Sequence, residues 1–251
     1  MVKTGNFVWT ILLLGLVLVA IILAVNTKPS IVIGSDTEKD KISVSGRAEL
    51  TVDPDEVEIY IEIETTEPTA VETKDENAEI SDDVIAALKK AGVKSSDIET
   101  YRFYLYPKYE WNRNTSKSEL VGYTLRHTLK VTTDDLDKTG DLIDVAIDEG
   151  ANRVERVEFK LSKEKEKDVN DEAMEKAAGN AREKAEALTD ALGVKLGKIT
   201  TISESSYYYE PFRYSGDVLM EAAAPGGKVS TEIQPQKLEV SATVNVVFEI
   251  S

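Results

Sequence analysis

From Val57 to Glu64 the chain alternates strictly, with Val57, Ile59, Ile61 and Ile63 separated by Glu58, Tyr60, Glu62 and Glu64. A period of two with one apolar and one polar face predicts a half-buried antiparallel strand, its glutamates lining the solvent side. The preceding run ISVSGRAELTV, from Ile42, is also strand-like, and Asp53-Pro54-Asp55 between the two reads as a turn, so the pair is expected to form a hairpin-like unit. From Thr69 to Ala91 the spacing becomes helical, with Ala78, Val84 (or Ile85) and Leu88 on one side and Gly92 as the stop signal. IETYRFYLYPKYEW and VGYTLRHTLKVTT predict two more strands around a polar loop, Asn112 to Ser118.

A short helix is expected over Asp134–Glu149, with acids in its first turn, then a strand over Val154–Leu161. The longest helix comes next, from about Glu164 to Leu192, with Met174, Ala178, Ala181, Ala185, Leu188 and Leu192 on its apolar face. Val194–Ser203 predicts a strand. The last strand, LEVSATVNVVFEI, alternates from Leu238 to Ile250, and residues 204–236 before it show no period and read as a long loop. The order β-β-α-β-β-α-β-α-β-β describes an α+β domain of antiparallel sheet with helices on one face, rather than a doubly wound parallel sheet.

One segment breaks this pattern. Phe7–Val25 holds nineteen residues without a charge, long enough as a helix (about 28 Å) to cross a bilayer. It exceeds the apolar core of a cleaved signal peptide and lacks a small-x-small cleavage site. The expected organisation is a membrane anchor over residues 1–28, a polar tether over 29–41 and a folded domain over 42–251. Lys3 before the span and Lys28 after it fix orientation only weakly; a short N-terminal tail ahead of a long polar domain places that domain outside the cytoplasm, as a single-pass protein of the cell membrane.

Charge and composition narrow the chemistry. The net charge is −16, and all 46 acidic residues but only 28 of the 30 basic ones come after residue 30. Such a surface repels phosphate backbones and argues against nucleic acid as a partner. With no cysteine, thiolate nucleophiles and cysteine-based metal sites are excluded. His127 stands alone, so it reads as structural or superficial. Asp135, Asp137 and Thr139 before Gly140 imitate part of a calcium loop, but its twelfth position is Ala146 instead of glutamate. No P-loop, dinucleotide fingerprint or nucleophile elbow is present. No cofactor and no catalytic residue are assigned, and the expectation is a protein that is not an enzyme.

The aromatic residues carry more information. Eight of the ten tyrosines fall in two segments. In the first, Tyr101, Phe103 and Leu105 are expected in the core, leaving Tyr104 and Tyr106 on the other face. In the second, Tyr207, Tyr208, Tyr209, Phe212 and Tyr214 lie in the long loop. Both sets are candidates for a subunit or partner contact, with simple loop packing as the equal alternative for the second. Asn114-Thr115-Ser116 is a possible glycosylation sequon.

Three stretches together, ISVSGRAELTVDPDEVEI, AREKAEALTDALGVKLGKITTISE and IQPQKLEVSATVNVVFEI, resemble the SIMPL-domain family, which includes periplasmic and outer-membrane immunogenic proteins of bacteria. The resemblance spans about Lys41 to Ser251; Pro235-Gln236 stands where a Pro-Gly is usual. It implies an α+β fold, an extracytoplasmic place, assembly into large ring- or channel-like oligomers and a link to oxidative-stress tolerance. It supplies no catalytic residues. The expected function is a membrane-anchored scaffold that self-associates through sheet edges and aromatic segments; the alternative is a module that binds a peptide or small ligand with the loop 204–236.

Overall fold

A computed structural model describes residues 40–215 and 231–251. The expected span at 7–25, most of the tether and the middle of the long loop lie outside the described residues. Among the described residues no helix is long and apolar enough to cross a membrane. The elements are β1 (Lys41–Val52), β2 (Glu56–Glu67), α1 (Ala70–Lys90), β3 (Ile98–Asn112), β4 (Lys117–Thr133), α2 (Thr139–Asp148), β5 (Arg153–Lys160), α3 (Lys163–Leu192), β6 (Leu196–Tyr209), β7 (Phe212–Ser215) and β8 (Leu238–Ile250). This is the predicted order with one short strand, β7, added. The strands form two antiparallel sheets, ordered β1-β8-β6 and β3-β4-β2-β5-β7.

The first two strands do not form a hairpin. β1 pairs with β8, Lys41 opposite Glu249 and Val52 opposite Leu238, whereas β2 pairs with β4 and β5. Asp53-Pro54-Asp55 is therefore a crossing between sheets. Asp55 secures it by accepting hydrogen bonds from the backbone N–H (2.8 Å) and hydroxyl (2.7 Å) of Ser162, the N-cap of α3. β2 lies in the middle of its sheet. Its isoleucines face α1 and α2 in one core, as the alternation predicts. The opposite face is not solvated as expected, because Glu58 and Glu62 are buried there.

Helix α3 lies on β1 and β8 and barely touches β6. Its buried stripe is Val169, Ala173, Ala177, Ala181, Ala185 and Thr189. Of the expected face only Ala181 and Ala185 belong to it; Met174 is partly buried, while Ala178, Leu188 and Leu192 are exposed. The reason is the closeness of the backbones. A Cβ on Gly46 would lie 2.0 Å from the carbonyl oxygen of Ala177 and 2.4 Å from the nitrogen of Ala181. At that separation only small residues fit between helix and sheet, so large apolar side chains mark the wrong face. At the β1 edge, Asn180 donates to Arg47 O (2.8 Å) and Lys184 to Ser45 O (3.0 Å), which covers carbonyls that an edge strand would otherwise present.

Three smaller differences have similar causes. In α1 the buried positions are Thr73, Asn77, Ser81, Val84 and Leu88, with Ala78 exposed, because a polar seam takes the place of apolar contact. The helix expected from Asp134 begins with a short 3-10 turn, Leu136–Lys138, and becomes α-helical only at Thr139. β6 runs six residues beyond its expected end, and β7 comes after it. Register shifts at three points along β6 scramble its alternation, which is why these residues read as loop.

Gly46→Ala is expected to lower stability by about 1–3 kcal/mol through overpacking. Gly179→Ala, on the open side of the same helix with nothing within 4 Å, should raise it by about 0.5–1 kcal/mol. Urea unfolding of both variants checks the pair; a neutral Gly46→Ala would refute the close-packing account.

Candidate interaction surface

β2 leaves β4 at the pair Glu67–Tyr123, but β3 and β4 continue together to Asn112–Lys117. Residues 107–122 therefore stand as a two-stranded arm, about 20 Å of strand with no neighbour alongside among the described residues. Gly122 sits where the arm leaves the sheet, and a Cβ there would lie 2.6 Å from Glu67 O. The turn is tied by Asn112, whose side-chain oxygen accepts from the backbone N–H of Asn114 (2.9 Å) and Thr115 (3.3 Å). Hydrogen bonds from Asn112 and Thr115 hold the Glu119 carboxyl below the usual range. Asn114, the sequon residue, is exposed at this tip.

Across the arm Tyr109 pairs with Leu120 and Trp111 with Ser118, while Lys108, Glu110, Glu119 and Lys117 alternate with them. One face is thus apolar and the other charged. Tyr109, Trp111 and Leu120 are 57%, 65% and 49% exposed, so the apolar face is uncovered. Tyr101, Phe103 and Leu105, expected in the core, are also exposed. β3 is the outermost strand, and the helices of its sheet pack over the strands farther in. Two register shifts and Pro107 interrupt β3, which disfavours strand addition along its edge. The arm therefore offers side chains rather than backbone.

Tyr104 and Tyr106 are exposed on the opposite face of the sheet, among charged groups. The Arg126 guanidinium lies 5.8 Å from the Tyr106 ring and bonds Glu64 at 2.5 Å. Arg156 lies 3.6 Å from the Tyr60 ring, which meets Tyr101 edge-on at 4.8 Å. Burial raises the Tyr60 pKa to about 12, helped by its hydrogen bond to Glu58. Burial also opposes the charge on Glu58, yet hydrogen bonds from Lys160 and Tyr60, with the charges of Lys160 and Lys130, hold its carboxyl below the ordinary range. Arg102 on β3 reaches Glu155 on β5 at 3.3 Å; that bridge must pass over β4 and β2. Beneath it lie the cross-strand neighbours Glu62 and Thr128. Glu62 is 3% exposed, and both Glu62 Oε1 and Thr128 Oγ1 are buried without a hydrogen-bond partner among the described residues. Arg153 lies 3.8 Å from Glu62 Oε1.

The second tyrosine segment is mostly half-buried against the cores. Tyr207 and Tyr209 pack with the β1-β8-α3 cluster, Tyr214 with the other core, and Phe212 with both. Tyr209 accepts a hydrogen bond from Leu161 N (2.7 Å) and Tyr214 donates to Gln234 O (2.8 Å). Burial raises the Tyr209 pKa to about 12. Tyr208 alone of this set is exposed, with its hydroxyl on Glu210.

His127 closes a polar seam between α1 and its sheet. Ser81 Oγ lies 2.9 Å from Nδ1 and Thr100 Oγ1 3.0 Å from Nε2, and Ser81 also bonds Asn77, which donates to Ile63 O (3.0 Å). Ser81 is buried, and both ring nitrogens are occupied by hydroxyls, which leaves no place for an orienting carboxylate. The arrangement is that of a structural histidine, not a nucleophile–base pair. Among the described residues no group of three or more histidine, aspartate or glutamate side chains is placed to hold a metal ion.

Comparison with known proteins agrees with the sequence resemblance. The pattern of the SIMPL family, described as a protein of unknown function (DUF541), matches residues 42–248. The 26 kDa periplasmic immunogenic protein of Brucella melitensis is 31% identical over 219 residues, spanning 85% of this chain and 86% of that protein. The uncharacterized protein YggE of Edwardsiella ictaluri is 28% identical over 217 residues, with 85% and 88% covered. YggE of Escherichia coli K12 is 25% identical over 209 residues, with 83% and 82% covered.

Burial pushes the His127 pKa below its ordinary value. The neutral ring therefore contributes stability above pH ~6.5, and that contribution is lost as the pH falls below it toward the folded-state pKa. The expected result is that His127→Gln flattens the loss of stability between about pH 7.5 and 5 relative to the parent chain. Parallel pH–stability curves for the two proteins would overturn this role.

Proposed function

The chain belongs to the SIMPL family, and on that premise we propose that it is a non-enzymatic extracytoplasmic scaffold, held to a membrane by residues 7–25 and joined to further copies through the β3–β4 arm. The periplasmic name of the Brucella relative supports the location, and the uncharged stretch Phe7–Val25 supports the anchor. The observation that carries the reading is the arm. An amphipathic ribbon with its aromatic face in water gains free energy by covering it, at about 25 cal/mol per Å². Bulges and Pro107 weigh against sheet-edge pairing as the means, so the aromatic side chains take that role. A part in envelope stress tolerance belongs to the same reading, as a property of the assembly.

Two observations support the absence of catalysis. His127 has both nitrogens engaged by hydroxyls, and the buried carboxylate Glu58 is held by Lys160 and Tyr60. The alternative of a ligand-binding aromatic loop has less support, since Tyr207, Tyr209, Phe212 and Tyr214 are partly buried against the two cores and only Tyr208 of that set is exposed.

The test is the mass of the full chain, purified in mild detergent, by light scattering. The parent chain is expected to form a multimer, and Trp111→Asp to reduce its mass to that of a monomer without shifting its thermal unfolding. A monomeric parent chain at about 100 µM would sink the proposal.

A further inference from the structure

Helix α3 has two flanks that meet the sheet differently. On one, Asn180 and Lys184 reach carbonyls of β1. The opposite flank carries Glu166, Asn170 and Met174, at four-residue steps and each half-buried. It faces β6, where Tyr207 and Glu204 pair with Ala242 and Val244, both buried beneath the helix. Alternation therefore places Tyr207 and Glu204 on the helix-covered face. Met174 and Tyr207 pack against the same core, and beyond Glu204 the exposed Ile202 continues that face opposite Val246.

The polar groups of this junction are short of partners. The Tyr207 hydroxyl and Asn170 Oδ1 are both buried with no hydrogen-bond partner among the described residues, a condition rare in folded proteins. Glu166 stands one helical turn before Asn170 and forms no ion pair among the described residues. Burial raises the Tyr207 pKa and the Glu166 charge adds to it, so carboxylate and hydroxyl are neighbours. A carboxylate, an amide oxygen and a hydroxyl thus line one recess, open on the side where the helix leaves β6 uncovered. A second carboxylate, the exposed Glu204, lies two ladder positions from Tyr207 along β6, roughly 7 Å away.

We infer that this recess binds an aliphatic diamine or polyamine, with one ammonium held by Glu166, Asn170 Oδ1 and the Tyr207 hydroxyl and the next held by Glu204. An ammonium has three N–H donors and no acceptor, so it calls for oxygens alone. The Tyr207 hydroxyl can accept from the ammonium while donating its own proton to Glu166, and its ring adds a cation–π face. The methylenes between two ammoniums need an apolar bed, which Met174 and the Tyr207 ring supply. A four-carbon spacer matches the step from Tyr207 to Glu204. Other ligand classes fit less well. An anion meets two carboxylates, and a purely apolar ligand leaves the buried oxygens unsatisfied. The net charge of −16 draws polycations toward the whole chain, but the two buried oxygens single out this recess. The inference is independent of self-association and takes nothing from the β3–β4 arm.

The experiment is a calorimetric titration of the full chain, in mild non-ionic detergent, with butane-1,4-diamine. One diamine per chain is expected to bind, and to stay bound at about 0.15 M salt, where attraction between distant exposed charges is screened. Tyr207→Phe and Glu166→Gln are each expected to weaken binding about tenfold or more. Tyr207→Phe keeps the ring and removes only an unpartnered hydroxyl, so its thermal unfolding should match the parent's. Glu175→Gln, exposed on the outer side of α3, makes the same change of charge and should leave binding unaltered. Butylamine, with a single ammonium, should bind about tenfold more weakly than the diamine. Absence of saturable binding up to about 10 mM diamine would overturn the inference. Equal losses from Glu175→Gln and Glu166→Gln would do the same, and so would butylamine that binds as tightly as the diamine.

Discussion

The contact of α3 with β1 governs how the three-stranded sheet is covered and what it leaves open. Gly46 and the alanines at 173, 177, 181 and 185 allow helix and strand backbones to approach far more closely than ordinary side chains permit. Interiors are packed to crystal-like density, so a contact this close fixes the lateral position of the helix as well as its height. Asn180 and Lys184 hook the same edge and satisfy its carbonyls. The helix is thus committed to β1 and β8. It cannot also cover β6, and the exposed Ile199 and Ile202 are the direct consequence.

The second sheet solves a different problem. β2 lies between β4 and β5, with an apolar core on one side and a lattice of ion pairs on the other. Individual exposed pairs contribute under ~1 kcal/mol each. Here the pairs share partners: Glu58 takes Lys160 and Tyr60, Glu158 takes Arg213, and Arg156 stacks on Tyr60. Each long side chain also covers its neighbours, and the lattice acts as a lid for a strand whose glutamates would otherwise be solvated. Thr73, Asn77, Ser81 and His127 join the helix layer to this sheet by hydrogen bonds, which fixes the register of α1 more sharply than apolar contact alone.

The arm is the part that neither core explains. Its turn is held locally by Asn112, and its pairing continues that of the sheet, so it keeps its shape without support from a third strand. An isolated two-stranded ribbon in water is marginal; here the five-stranded sheet nucleates it. An arm stiffened in this way presents its aromatic face at little cost in ordering on association.

Periodicity in the sequence determined the element order apart from β7, the core face of β2 and β8 and the helix stop at Gly193, because these depend on neighbours in the chain. It also singled out the aromatic segment of β3, although it assigned Phe103 and Leu105 to the core. What tertiary structure decided were the partners: that β1 joins β8 from the far end of the chain, that Glu62 is buried while Leu192 is not, and that Tyr207, Tyr209 and Tyr214 are half-buried against the cores. A residue's pattern states which face it shares with its neighbours. Whether that face is covered depends on strand order, on the bulges in β6 and on how closely Gly46 lets a helix approach, and these are set by contacts between residues far apart in sequence.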